Sequence, residues 1–209
     1  MQEKLSLESI IATHGAPALR KLGFTGSGKT FRRLVDDMMW VINFQGNRHG
    51  GSFAVNLGLH PLAIPDVLGA PVDSKTFTEP LCEFRRRLSP SGIDYWWHYT
   101  DRSSLEIAVM DATRLYETVG HTFFEKHTDQ NAPLRTLTIE EFTAGHHELE
   151  DFSTTEVRTA RAISLMRLAA NRSNEALHFA EFALSNVGGA SSLKIELEEI
   201  VARIHSTAN

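Results

Sequence analysis

The sequence predicts an α+β fold: an antiparallel four- to five-stranded meander sheet covered by helices, followed by an all-helical C-terminal segment. Three observations predict it. From Met38 to Gln45 the side chains alternate, with Met38, Trp40, Ile42 and Phe44 on one side and Met39, Val41, Asn43 and Gln45 on the other, the period of a half-buried strand. Ahead of it, Leu7, Ile10, Ile11, His14, Ala18 and Leu22 recur at steps of three and four, the period of a covering helix. From Ile139 onward the pattern is helical only, over Thr138 to Ala144, Thr155 to Asn171, Asn174 to Asn186 and Ser191 to His205. These shifts divide the chain into an α+β part, residues 1–128, and a helical extension, residues 135–209, expected to dock on the first. No second copy recurs at a fixed period, so a solenoid is not supported.

Taken in order, the first helix runs from about Leu5 to Leu22, where Pro17, after Gly15 and Ala16, should kink or restart it because proline lacks an amide donor. Strands follow at Thr30 to Leu34, Met38 to Gln45 and Phe53 to Leu59, with turns at Asp36-Asp37 and His49-Gly50-Gly51. Antiparallel pairing puts Trp40, Ile42, Phe44, Phe53, Val55 and Leu57 on one buried face under the first helix. Asn43, Gln45 and Asn56 then share the opposite face. Residues 60–80 carry Pro61, Pro65, Pro71 and Pro80 and read as a long loop with one helical turn at Pro65 to Leu68. Its length makes it a candidate lid or contact surface. A fourth strand from Leu81 to Leu88 sets Cys82, Phe84, Arg86 and Leu88 against Glu83, Arg85 and Arg87, although Arg86 conflicts with an apolar side. After the aromatic stretch Asp94 to Tyr99, Asp101 is placed to cap a helix from Leu105 to about Phe124, with Ile107, Val109, Met110, Ala112, Leu115 and Val119 as its apolar positions.

The order of short motifs, Leu22-Gly23-Phe24, Thr30 to Arg33, Trp40 to Gln45, Phe53 to Gly58, Cys82 to Leu88 and Asp94 to Trp97 followed by a helix, resembles the domain of unknown function 4304 family over roughly the first 125 residues. The resemblance implies a small bacterial α+β domain, with no established activity and no catalytic residues to carry over.

Composition bounds the function classes. A chain of 209 residues with 42% hydrophobic content can bury an ordinary core. A formal charge of −5, with 22% charged residues, makes general binding to nucleic acid or to an anionic membrane unexpected. The single cysteine, Cys82, excludes an intramolecular disulfide and a thiolate cluster. Neither a signal-peptide core nor a long apolar run is present, which points to a cytoplasmic protein.

Gly23 to Thr30 match the phosphate-loop pattern, in which a buried strand delivers the glycines and a helix begins at the Lys-Thr. Here a helix precedes the match and a strand pattern follows it, so the glycines read as a turn. The alternative function is a nucleotide-dependent enzyme using Gly28, Lys29 and Thr30, with Asp36 or Asp37 as a magnesium ligand. Arg85, Arg86 and Arg87, with Arg32 and Arg33 on a neighbouring part of the sheet and Trp96-Trp97 nearby, have the residue types that hold anions and stack on flat groups. Arginine stems that lie over a sheet and pair with acids explain the same residues. Two histidine groupings, His121 with Glu125 and His127, and His146-His147 with Glu148, Glu150 and Asp151, match no zinc signature. No serine sits in a G-x-S-x-G elbow. The expected reading is a non-catalytic binding or protein-interaction protein, of immunity-type or accessory role, without cofactor or metal. Asn43, Gln45, Asn56, Arg85, Arg87 and Trp96 are its binding residues, and its partner is a protein or a small anion. The C-terminal helices offer a surface for self-association.

Overall fold

A computed structural model describes residues 6–92, 94–145, 149 and 151–207. Three long strands form the middle of its sheet: β2 (Thr30–Val35), β3 (Met38–Gly46) and β4 (Ser52–Pro61). Asp36, at φ 51°, makes the tight turn between β2 and β3, a left-handed position that a short polar side chain tolerates. The register pairs Arg33 with Trp40, then Trp40 with Leu59 and Ile42 with Leu57, so the apolar sets of neighbouring strands share one face. A short β1 (Thr25–Ser27) pairs with β2, and β5 (Phe84–Arg87) lies along the other side of β4. The two-residue β6 (Trp97–His98) pairs with the start of β4. All pairings are antiparallel and the path runs β1-β2-β3-β4-β5.

Helices cover the apolar face: α1 (Leu7–Ile10), α2 (Ala16–Lys21), α3 (Arg102–Leu115) and α4 (His121–Thr128). Pro17 stands where the α-helix restarts after an irregular turn. A π-helical segment, Ile11–Gly15, absorbs the irregularity, and Pro17 falls in the first turn of α2, where its missing amide costs nothing. A second π segment, Tyr116–Gly120, joins α3 to α4, and a Cβ at Gly120 would lie 2.5 Å from the Tyr116 ring. Trp40 is at the centre of this layer, stacked on Phe124 at 4.8 Å and donating its indole N–H to Thr128 Oγ1 at 2.8 Å. The buried stripe of α3 is Leu105, Ala108, Val109 and Ala112, continued by Tyr116. Ile107, expected inside, is 65% exposed, and Met110 and Val119 are exposed as well. At 100° per residue Ile107 stands well away from the line set by Leu105 and Val109.

A strap, residues 62–82, crosses part of the opposite face. Phe77 and Cys82 pack on Met39 and Val41, and Arg32 Nε donates to the Phe77 carbonyl. The expected helical turn at Pro65 to Leu68 does not form. The Asp66 carboxylate takes the amides of Leu68 and Ala70, a local alternative to helical hydrogen bonding. The fourth strand is also shorter than expected, because a 3-10 turn at Glu79–Leu81 interrupts the alternation and turns Cys82 toward Met39 and Val41 instead of beside Phe84. Gly58 allows this: a Cβ there would lie 2.5 Å from Cys82 Sγ. His60 bridges strand and strap. Its Nδ1 accepts the Glu83 amide, so Nε2 carries the proton donated to the Ile64 carbonyl, and burial depresses its pKa to about 4.

The remaining chain forms α5 (Pro133–Thr136), α6 (Ile139–Thr143), α7 (Glu156–Ala169), α8 (Ser173–Asn186) and α9 (Ser191–Thr207). Polar contacts tie it to the sheet. Arg161 of α7 reaches Glu83 and Glu196, Arg135 pairs with Asp37, and the Ser153 amide donates to the Arg85 carbonyl at 2.7 Å. Buried Arg167 donates to the carbonyls of Leu134 and Leu137. Arg86 lies on the helix-covered face after all, with its charge met by Asp151 at 2.8 Å and its guanidinium over Phe123.

Candidate binding face

Strand parity decides what the uncovered part of the second face displays. Thr30 pairs with Asn43, Asn43 with Asn56, and Asn56 with Arg87, so one row across β2, β3, β4 and β5 is polar throughout. Asn43 Nδ2 donates to Thr30 Oγ1 at 2.9 Å. Asn56 Nδ2 donates to Gln45 Oε1 at 2.9 Å, and Arg87 Nη2 donates to the same oxygen at 3.3 Å. Arg87 Nη1 lies 3.0 Å from Asp94, its guanidinium stands 5.0 Å from the Trp96 ring centre, and the Trp96 indole donates to Asp94 at 3.1 Å. The structure therefore brings Gln45, Asn56, Arg87 and Trp96 into one network, with Asn43 in the same cross-strand row as Asn56 and Arg87. Arg85, two residues along β5, turns instead to Glu79, whose carboxylate is buried beneath it. Asp94 closes the network and was not among the expected residues. Its only sequence signal is an acid two positions before Trp96.

The basic patch is not one patch. β2 and β5 are separated by β3 and β4, so Arg32 and Arg33 are not neighbours of the β5 arginines. Arg33 lies over the Trp40 ring on the helix-covered side, as Arg86 lies over Phe123. Trp97 is buried, stacked on Phe53 with its indole donating to Asp111. On the open face both guanidinium groups have a carboxylate, Asp94 for Arg87 and Glu79 for Arg85. Such a surface offers amide donors and acceptors and a cation on an aromatic ring, with its net charge largely cancelled.

The glycine-rich stretch folds as a β-hairpin. Gly28 (φ 63°) and Lys29 form the turn between β1 and β2, and Lys29 Nζ lies 3.3 Å from Glu8 of α1. Thr30 begins a strand and its hydroxyl accepts from Asn43, so no helix N-terminus follows the lysine to aim amides at a phosphate. Asp37 is bound by Arg135, which holds its carboxyl below the ordinary range.

His121 lies 3.3 Å from Glu125, while buried His127 is packed between Phe123 and Phe152. His146, His147, Glu148 and Glu150 lie outside the described residues. Among the described residues no group of three or more histidine, cysteine or acidic side chains is arranged to hold a metal ion, and no helix is long and apolar enough to cross a membrane.

These features define a small α+β protein with one antiparallel sheet, helices on its apolar face and a strap over part of its polar face. Residues 15–126 match the model of the family described as Domain of unknown function (DUF4304), and the chain belongs to that family. The match runs from the end of the first π segment into α4 and leaves α5 to α9 outside. No curated protein and no solved structure matches the chain.

Proposed function

We propose that this protein is a non-catalytic binding protein whose open sheet face meets a partner protein. The observation that carries this reading is the Arg87–Trp96 stack, held by Asp94 and joined through Gln45 to Asn56. Arginine and tryptophan are the residue types on which interface energy concentrates, and a fixed stack reduces the entropy lost when a partner docks. A protein partner suits the face better than a small anion, because Arg85 and Arg87 already have carboxylate partners. An immunity-type or accessory role in a bacterial cytoplasm is compatible with such a surface.

A photo-crosslinking residue placed at Thr30, in the same row of the face but outside the Arg87–Trp96 network, and expressed in the native host tests the proposal. The expected result is one discrete covalent adduct, lost on Trp96→Ala or Arg87→Glu, and absent when the crosslinker replaces exposed Ile107 on α3. An adduct indifferent to Trp96→Ala, or none at all, overturns it.

A further inference from the structure

A cleft of about 870 Å³ opens between residues 63–69 of the strap and the helices α7 and α9. Its apolar wall is aliphatic: Ile64, Val67 and Leu68 from the strap, Leu165 and Leu168 from α7, and Ile200 from α9. Leu68 is 80% exposed at its mouth. Two carboxylates of α9, Glu196 and Glu199, are three residues apart and therefore on one helix face, and both line the cleft. Arg161 holds Glu196 in place, but both of its donors, Nε and Nη2, land on Oε1, so Oε2 takes neither. Among the described residues the Glu199 side chain makes no hydrogen bond or ion pair. Arg203 shares the rim.

We propose that this cleft binds a small aliphatic amine, its chain against Ile64, Leu168 and Ile200 and its ammonium group between Glu196 Oε2 and Glu199. The volume is in the usual range for small-molecule sites. A purely aliphatic wall gives aromatic or nucleobase ligands no ring to stack on, so it favours a flexible hydrocarbon chain. Glu199, with the oxygen of Glu196 that Arg161 leaves open, favours a cation over an acid of the same chain length, Arg161 having already met part of the Glu196 charge. The strap wall belongs to the family-matched part of the chain and the carboxylates to the helical part beyond it, so the site needs both. It is separate from the open sheet face and does not depend on that reading.

The test is a titration of methyl-labelled protein with hexylamine, hexanoate and a short lysine-containing peptide, followed by NMR. Hexylamine should give saturable shifts confined to the methyl groups of Ile64, Leu168 and Ile200, and hexanoate should bind at least about tenfold more weakly, the effect expected of a pair of partly exposed charges. Glu199→Gln, at an exposed side chain with no partner to strand, should weaken hexylamine and leave hexanoate no weaker, with the rest of the spectrum unchanged. Equal binding of hexylamine and hexanoate overturns the assignment, as do shifts scattered over the surface. Tighter binding of the lysine peptide than of hexylamine also overturns it, in favour of a protein tail.

Discussion

Arg161 and Glu83 join the helical hairpin to the start of β5 through an ion pair from which water is nearly excluded, with Nη1 lying 2.5 Å from Glu83 Oε1 and side chains 4% and 1% exposed. Burial raises the Glu83 carboxyl above its ordinary pKa, and Arg161 opposes that rise. Removing the arginine strands a buried charge, so Arg161→Met should cost about 3–5 kcal/mol at neutral pH. Without Arg161 the carboxyl rises further, so the native state binds more protons than the unfolded chain and stability falls as pH rises through that window. The penalty should therefore shrink toward acid pH. Denaturant titrations at two pH values check this, and a pH-independent loss would show that the lost packing, not the charge, matters.

Trp40 fills the space between sheet and α4 and also satisfies Thr128, so Trp40→Ala should cost about 3–5 kcal/mol. Thr128→Val, which strands only the indole N–H, should cost about 1–3 kcal/mol. Equal midpoints for the two variants would deny the ring its packing role.

His127 is wholly buried, neither ring nitrogen has a hydrogen-bond partner, and Asp151 at 3.8 Å is too distant to supply one. Burial, reinforced by Lys126, lowers its pKa to about 4. The unfolded chain therefore binds the extra proton first, and stability rises with pH between about 4 and 6.5 and is lost as pH falls through that window, by an amount on the order of 3 kcal/mol. His127→Phe keeps the contacts with Phe123 and Phe152 while removing the titration. It should be within about 1 kcal/mol of the parent at pH 7 and should lose less stability toward pH 4. An unchanged acid limb would assign that limb elsewhere, His60 being the next buried candidate.

Lys29 sits in a hairpin turn paired with an exposed Glu8, so calorimetric titration with ATP and magnesium should show binding no tighter than millimolar, about −4 kcal/mol. Lys29→Ala should change stability by less than about 1 kcal/mol. Micromolar binding abolished by Lys29→Ala would restore the phosphate-loop reading.

The central strands were legible because Trp40, Ile42, Phe44, Val55 and Leu57 follow a period of two on the helix-covered face, even though β4 is buried on both sides along its length. β1 was not legible: Thr25, Gly26 and Ser27 are all exposed and carry no apolar alternation, so only pairing with β2 makes them a strand. The strap misled for a local reason, since Asp66 competes for the amides a helix would use. On the polar face, parity was enough to group Asn43, Gln45, Asn56 and Arg87. Trp96 was named for its residue type alone and Asp94 was missed, because both reach Arg87 from an irregular segment, and irregular chain has no period to read.

Cys82 gives the strap a clock. Its thiol is fully buried against Gly58, and burial, with Glu79 nearby, pushes its pKa well above the ordinary thiol value. A thiol reagent can therefore reach sulfur only when the strap lifts from β4, and at high reagent concentration the labelling rate becomes the opening rate itself. The protein thus has its only cysteine where its reactivity times the uncovering of Met39 and Val41.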